Sequence, residues 1–450
     1  MKAGKKMRRQ RPHKRGREPL LPLMADPETG EVLDLLDLEA LGRSGLEFRA
    51  PTEDEIMPLP SGADLQLLPN RHALALDAQG NEVVLEGLAV AARIPVGCSR
   101  TLLPAFEEPP EGEEYLPFFG YTAVFARGDD LYCAAVRTES NPRWEPAHYH
   151  TPELPTKIEE LKAKFPQNRI LDQLKICALD YGCYNAQNIF MNRWEGAVPV
   201  SPACNAQCRG CISFQPEELP PSPQERFRFK PLLEEIVELG THHLNSREAI
   251  FSFGQGCEGE PLLAGDVIAQ AVERLAAIPG RGTIHLNSNA SLPDKVQKIV
   301  DAGLDSIRVS TNSVLPHIYE AYYQPRKYTF AEVRESTRIA RDAGLHISLN
   351  LLMMPGWTDA EEEAEALVCF VQEYRVNMIQ LRTLNIDPNF YASCVPLPEG
   401  KAMGIPNLLK KLRKECPHLV LGNHTPRVFR RREQDLGKGS ASKDSNRNPT

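Results

Sequence analysis

The chain has 450 residues, is 42% hydrophobic and 25% charged, and carries a net charge of −8. That is the composition of an ordinary globular protein, with room for one large catalytic domain plus an accessory one. No run of about eighteen apolar residues occurs, so no segment is a candidate to span a membrane. The basic N-terminus lacks the apolar stretch and small-residue cleavage site of a secretory signal. The eleven cysteines are scattered apart from one tight group, which argues against a disulfide framework and for a reducing, cytoplasmic setting.

Nine Lys and Arg and no acid fall within residues 1–17, so the body of the chain is more acidic than the whole. An acidic body makes nucleic acid a poor partner. Residues 1–18 read as a disordered basic tail. Residues 19–155 read as a β-rich accessory region, with hairpins predicted at 72–77/82–88 around Gly80-Asn81 and at 120–126/131–137 around Gly128-Asp129-Asp130. A helical connector follows over 156–196, with helices predicted at 156–165 and 170–179.

From residue 197 to 387 the pattern alternates between β and α. Strands are predicted at 197–201, 249–253, 283–287, 306–310, 346–353 and 378–381, spaced as parallel βα units require. Thr329-Phe-Ala-Glu332 is a capping box opening a helix whose Phe330, Val333, Thr337 and Ala340 share a face, and Gly344 stops it. Thr358-Asp-Ala-Glu361 reads as a second capping box, with Ala364, Leu367, Val368 and Val371 on the buried face. The expected fold class is α/β, a partial (β/α)6 barrel with an N-terminal β-rich accessory region. Residues 388–426 form a C-terminal extension and 427–450 a disordered tail. In barrels of this kind the chemistry lies on loops at the C-terminal ends of the strands.

Directly after the first of those strands stands Cys204-Asn-Ala-Gln-Cys208-Arg-Gly-Cys211, a C-x3-C-x2-C group. Three soft thiolates this close favour zinc or an iron–sulfur cluster. Zinc needs a fourth ligand to close a structural tetrahedron, and the nearest histidines in sequence, His150 and His242, are distant. A four-iron cubane on three cysteines keeps one iron open to another ligand.

This group, placed after the first strand of a βα barrel, resembles the signature of the radical S-adenosylmethionine (SAM) superfamily. The resemblance implies a [4Fe–4S] cluster on Cys204, Cys208 and Cys211, with SAM on the open iron. Reductive cleavage of SAM would then give a 5′-deoxyadenosyl radical that takes hydrogen from a substrate. It also implies an electron donor such as a flavodoxin or ferredoxin, and a substrate that the sequence leaves open, a small molecule or peptide being favoured.

The stretch Phe253-Gly-Gln-Gly-Cys-Glu-Gly-Glu-Pro261 is similar to the family's Gly-Gly-Glu-Pro, which grips the SAM amine. Gly259, Glu260 and Pro261 match, and Glu258 replaces the first glycine, so either carboxylate could make the contact, with Glu260 preferred. Ser288 and Asn289, within Asn287-Ser-Asn-Ala290, resemble the family's Thr-Asn-Gly near the SAM ribose. Ser310 and Asn312 at the fourth strand and Asn350 on the fifth fall where members place polar contacts to SAM or substrate. The residue before the last cysteine is usually aromatic; here it is Gly210, and Phe214 is the candidate to supply that surface. Cys257, inside the SAM-binding turn, is a speculative catalytic residue as a hydrogen-atom donor or ligand. Cys177 and Cys183 lie about twenty residues before the core. Trp144, His148 and His150 read as a loop with solvent-facing histidines. The rival reading is a zinc-stabilised nucleic-acid-binding protein.

Overall fold

The computed structural model describes residues 18–108, 114–245 and 247–428; the two predicted terminal tails lie almost wholly outside them. The described residues form two compact units. One draws on residues 18–140, 353–365 and 383–414, and the other on 141–352, 366–382 and 415–428.

The first unit is built on an eight-stranded antiparallel sheet. Its longest hairpin pairs Asp64–Leu76 with Glu82–Arg93. The turn forms where the sequence predicts it: Asp77 accepts the N–H groups of Gln79 and Asn81, and Gly80 sits at φ +83°. Leu21, Leu23, Ala25, Val90, Ala92, Val124 and Ala126 form one of its cores. The second predicted hairpin differs in part. Asp130–Cys133 pairs with Tyr121–Arg127, but Ala135–Arg137 leaves to pair with Cys98–Arg100. Within the same unit the predicted capping box at Thr358 does not form. Thr358 Oγ1 instead accepts the N–H of Met354, and Asp359 accepts those of Gly356 and Gly404.

The second unit holds a seven-stranded parallel sheet in sequential order. Its strands are β1 (Glu195–Val198), β2 (Ile250–Phe253), β3 (Thr283–Ser288), β4 (Ser306–Thr311), β5 (His346–Met353), β6 (Met378–Thr383) and β7 (Val420–Gly422). The helices that matter to the site are α1 (Leu233–His243), α2 (Gly265–Ala276), α3 (Pro293–Asp301), α4 (Pro316–Tyr323) and α5 (Phe330–Asp342). The capping box at Thr329 forms, with Thr329 accepting from Ala331 N–H and Glu332 accepting from Thr329 N–H. All four predicted core residues of α5 are buried.

Two differences from the sequence reading are physical. Strand β1 ends at Val198, short of the predicted 201, because Glu258 takes the N–H groups of Val200 and Ser201 and draws the chain out of the sheet. The six expected strands also become seven. β7 has only three residues, too few to show a periodic pattern.

The sheet has two unlike faces. Ile284, Leu286, Ile307, Val309, Ile347, Leu349 and Leu351 are all at most 1% exposed and meet the amphipathic helices. α2, for example, buries Ile268, Ala271, Val272 and Leu275, one stripe at helical spacing. The alternate residues are polar. Ser252, His285, Ser306 and His346 stand in one row across four strands, Asn287, Arg308 and Ser348 in the next, and Ser310 beside Asn350 in a third. A polar interior face is costly unless it is hydrogen-bonded or meets a ligand.

Candidate active site

The loop leaving β1 carries the three cysteines, all half-buried. Backbone bonds fix it on two sides. Gly259 N–H donates to Ser201 C=O and Glu260 N–H to Ala203 C=O, both at 2.8 Å. From the other side, Gln207 and Arg209 donate to the carbonyls of Tyr323 and Tyr322 at the end of α4, and Arg326 N–H donates to Asn205 C=O. Asn205 also bonds Ser291 and Asn289 through its side chain. The turn after β2 and the end of α4 thus hold the cysteine loop between them.

The thiols lie within electrostatic reach of one another. Burial raises the Cys208 thiol well above its ordinary range, and the charges of Cys211 and Cys204 raise it further. Burial, then the charge of Glu260, pushes Cys204 up to about 11. Arg226 opposes both shifts and donates to Cys211 Sγ at 3.3 Å. Among the described residues no three His, Cys, Asp or Glu side chains close on a single ion. Three soft thiols on one loop are the donors that the chain offers here, a set that fits a cubane with one open iron.

The two glutamates of the turn have distinct surroundings. Glu258 accepts three backbone N–H groups, from Val200, Ser201 and Gln255 at 2.7–2.9 Å, and clamps the cysteine loop to the turn. Burial pushes its carboxyl up to about 8 against those donors. Glu260 lies on the cysteine side. It caps the short 3-10 turn Pro261–Ala264 through Leu262 N–H, and also accepts from Ser288 Oγ and Asn289 N–H. Burial raises its carboxyl to about 7. Pro261 occupies the first position of that turn, where a missing N–H costs nothing. Ser288, Asn289, Gly259, Glu260 and the cysteine loop are thus brought together. If Glu260 meets the SAM ammonium as the motif resemblance implies, a Glu260→Ala variant binds SAM at least about tenfold more weakly while retaining its iron, since that charged contact is lost but no cluster ligand is; calorimetry on the reconstituted protein checks this.

Ser310 and Asn350 are Cα partners across β4 and β5, both partly accessible on the polar face. Asn312 does not join them: it is buried, with Nδ2 directed to Ile318 C=O at 3.5 Å. Phe214 is 54% exposed under the Arg226 guanidinium. The Cys257 thiol is buried and hydrogen-bonded to Cys177, with Cys183 nearby. His148 and His150 are exposed, as expected, while Tyr149 between them is buried against Tyr184.

Sequence reasoning missed a tyrosine group. Tyr319 stacks on Tyr323 at 4.3 Å, and Tyr319 and Tyr328 pair through their hydroxyls at 3.2 Å. Burial raises all three phenols, and the charge of Cys208 adds to each shift, placing the rings by the cysteine loop. Gly210 leaves that loop without its usual aromatic, and Tyr319 and Tyr323 lie by it on α4. The one signal on the helix, Tyr319, Tyr322 and Tyr323 at i, i+3 and i+4, reads equally as core.

Ala290, next to Asn289, holds φ +56° at the place where the resembling motif has glycine. Left-handed backbone costs alanine roughly 1–2 kcal/mol. Ala290→Gly is expected to gain roughly 0.5–1 kcal/mol after glycine's extra unfolded-state entropy, read as a small rise in Tm.

Residues 198–368 match the family model of the Radical SAM superfamily, so this segment of the chain carries a domain of that superfamily. Relatives include the probable GTP 3′,8-cyclase of Aeropyrum pernix, 28% identical over 36% of this chain and 44% of the relative. Another is the GTP 3′,8-cyclase of Limosilactobacillus fermentum, 25% identical over 40% of this chain and 51% of the relative. The chain spans about half the length of these curated relatives. A solved structure of methylornithine synthase is also similar, 15% identical over 54% of this chain and 68% of that one, at TM-score 0.35. The superfamily's cofactors are a [4Fe–4S] cluster and SAM; Cys204, Cys208 and Cys211 would hold the first, and the turn around Gly259 and Glu260 would receive the second.

Proposed function

We propose that this chain is an enzyme that cleaves SAM reductively and uses the resulting radical on a small polar molecule. When bound, the cluster and SAM supply a 5′-deoxyadenosyl radical that abstracts hydrogen. The chain's own residues hold and orient: the three cysteines ligate, Glu258 fixes the loop, and Glu260 and Asn289 receive SAM. Ser310 and Asn350 face what lies deeper. The observation that carries this reading is the double backbone pairing of Gly259 and Glu260 to Ser201 and Ala203, which joins the cysteine loop to the turn that resembles the SAM-binding motif. A flavodoxin- or ferredoxin-like donor would supply the electron. A cytoplasmic setting suits such a donor, and no helix among the described residues is long and apolar enough to cross a membrane.

The GTP 3′,8-cyclase relatives favour a small-molecule substrate, and the matched half does not carry the choice further. The zinc reading is separated from this one by metal content. Anaerobic reconstitution should give about four irons per chain, brown protein, and an electron paramagnetic resonance (EPR) signal that changes on adding SAM. Colourless protein holding zinc would overturn the proposal.

A further inference from the structure

The polar face of the parallel sheet holds donors that the cluster-side residues do not use. Arg308, midway along β4, donates Nη1 to Gln380 Oε1 at 2.8 Å, and Arg382 Nη2 reaches the same oxygen at 3.4 Å. Two guanidinium groups thus bracket one neutral amide oxygen. Like charges this close repel unless an anion lies between or beside them. The opposing charge that acts on Arg308 is Glu195, whose Oε1 already accepts from Ser252 and Thr425.

Two donors in this row have no acceptor. Arg308 Nε is shut off from solvent without a partner, and so is the hydroxyl of Ser348, the Cα partner of Arg308 on β5. Orphaned buried donors cost about 1–3 kcal/mol each, a cost that an incoming acceptor removes. Both stand one strand repeat, roughly 7 Å, below Ser310 and Asn350, away from the edge where the cysteine loop departs. The histidines of the next row down do not supply the charge: burial holds His285 well below its ordinary range, and His346 is lowered in the same way.

We infer that Arg308, Ser348 and Arg382 form a seat for the oxyanion of the substrate, a carboxylate or a phosphate. This inference rests on the proposed function. It adds that the substrate is anionic, with its charged group anchored deep on the sheet and the carbon that loses hydrogen roughly 7 Å away along the strands. Guanidinium and hydroxyl donors around one oxyanion make charge-assisted hydrogen bonds, which are short and directional.

The test uses the anaerobically reconstituted holoenzyme with inorganic phosphate and acetate as probes. Binding is read by 31P and 13C nuclear relaxation from the reduced, paramagnetic cluster. The stronger of the two probes identifies the oxyanion. Wild type is expected to bind at least one probe, Arg308→Gln about tenfold or more weakly, and Arg308→Lys closer to wild type. Ser348→Ala, which removes only a hydroxyl from a buried row, should weaken binding a few fold with unchanged thermal unfolding, so a misfolded arginine variant does not decide the matter. SAM affinity should be unchanged in every variant. Equal probe binding by wild type and Arg308→Gln, no binding by wild type, or a parallel loss of SAM affinity would overturn the inference. A protein that cleaves SAM but binds neither probe overturns the oxyanion seat alone. One that binds a probe but never cleaves SAM overturns the proposed function instead.

Discussion

Replacing Cys208 with alanine should leave a folded protein that holds no cluster. The electrostatic surroundings of Cys208 include both other thiols. Its neighbours Gln207 and Arg209 are tied by backbone bonds to Tyr323 and Tyr322, so the loop keeps its course when the side chain is cut back. The loss falls on ligation: two thiolates do not retain a cubane that three hold with one iron open. Iron and sulfide should fall to less than about a tenth of wild type, and SAM cleavage by about a thousandfold or more, since no electron reaches SAM without the cluster. Circular dichroism should be unchanged. A Cys208→Ala protein that keeps its iron and its SAM cleavage would refute the assignment of this residue.

The second large effect is expected at a residue that ligates nothing. Gly259 lies so close to the cysteine loop that a Cβ there would overlap the carbonyl of Ala203. Both neighbouring bonds, Gly259 N–H to Ser201 and Glu260 N–H to Ala203, depend on that approach. Gly259→Ala must push the two segments apart and lose one or both bonds, at about 1–3 kcal/mol each if the groups stay buried. Cysteine loop and SAM turn would no longer be in register. SAM affinity is expected to fall by about a hundredfold, in line with two such losses, and the cluster should bleach faster in air. Calorimetry and the decay of the cluster's visible absorbance check the two effects. Wild-type SAM affinity in this variant would show that the pairing does not position SAM.

Much of this arrangement was legible in the sequence for definite reasons. Alternating βα segments with capping residues marked the parallel sheet, and β5 falls on the predicted 346–353. Three cysteines in eight residues marked the candidate cluster loop because ligands from one loop need close spacing. The Glu258 departure resolves in the structure: a side chain fits where the family has glycine because it turns back to bond Val200 and Ser201. Other features depend on long-range contact. The tie from α4 to the cysteine loop is made by backbone groups, which carry no residue signature. The thiol pair Cys177–Cys257 joins positions far apart in sequence, and so does the bracket of Arg308 and Arg382 on Gln380. β7 was too short to register, and Thr358 lost its predicted role to the Met354 N–H it bonds instead.

The most direct measurement of the central claim is anaerobic. Protein reconstituted with iron and sulfide is mixed with SAM and a strong reductant, and 5′-deoxyadenosine is quantified against time. The structure predicts its formation in wild type and its absence from Cys204→Ala, Cys208→Ala and Cys211→Ala proteins. A wild-type protein with an intact four-iron cluster that binds SAM yet releases no 5′-deoxyadenosine, with reductant in excess and across anionic candidate substrates, would contradict it.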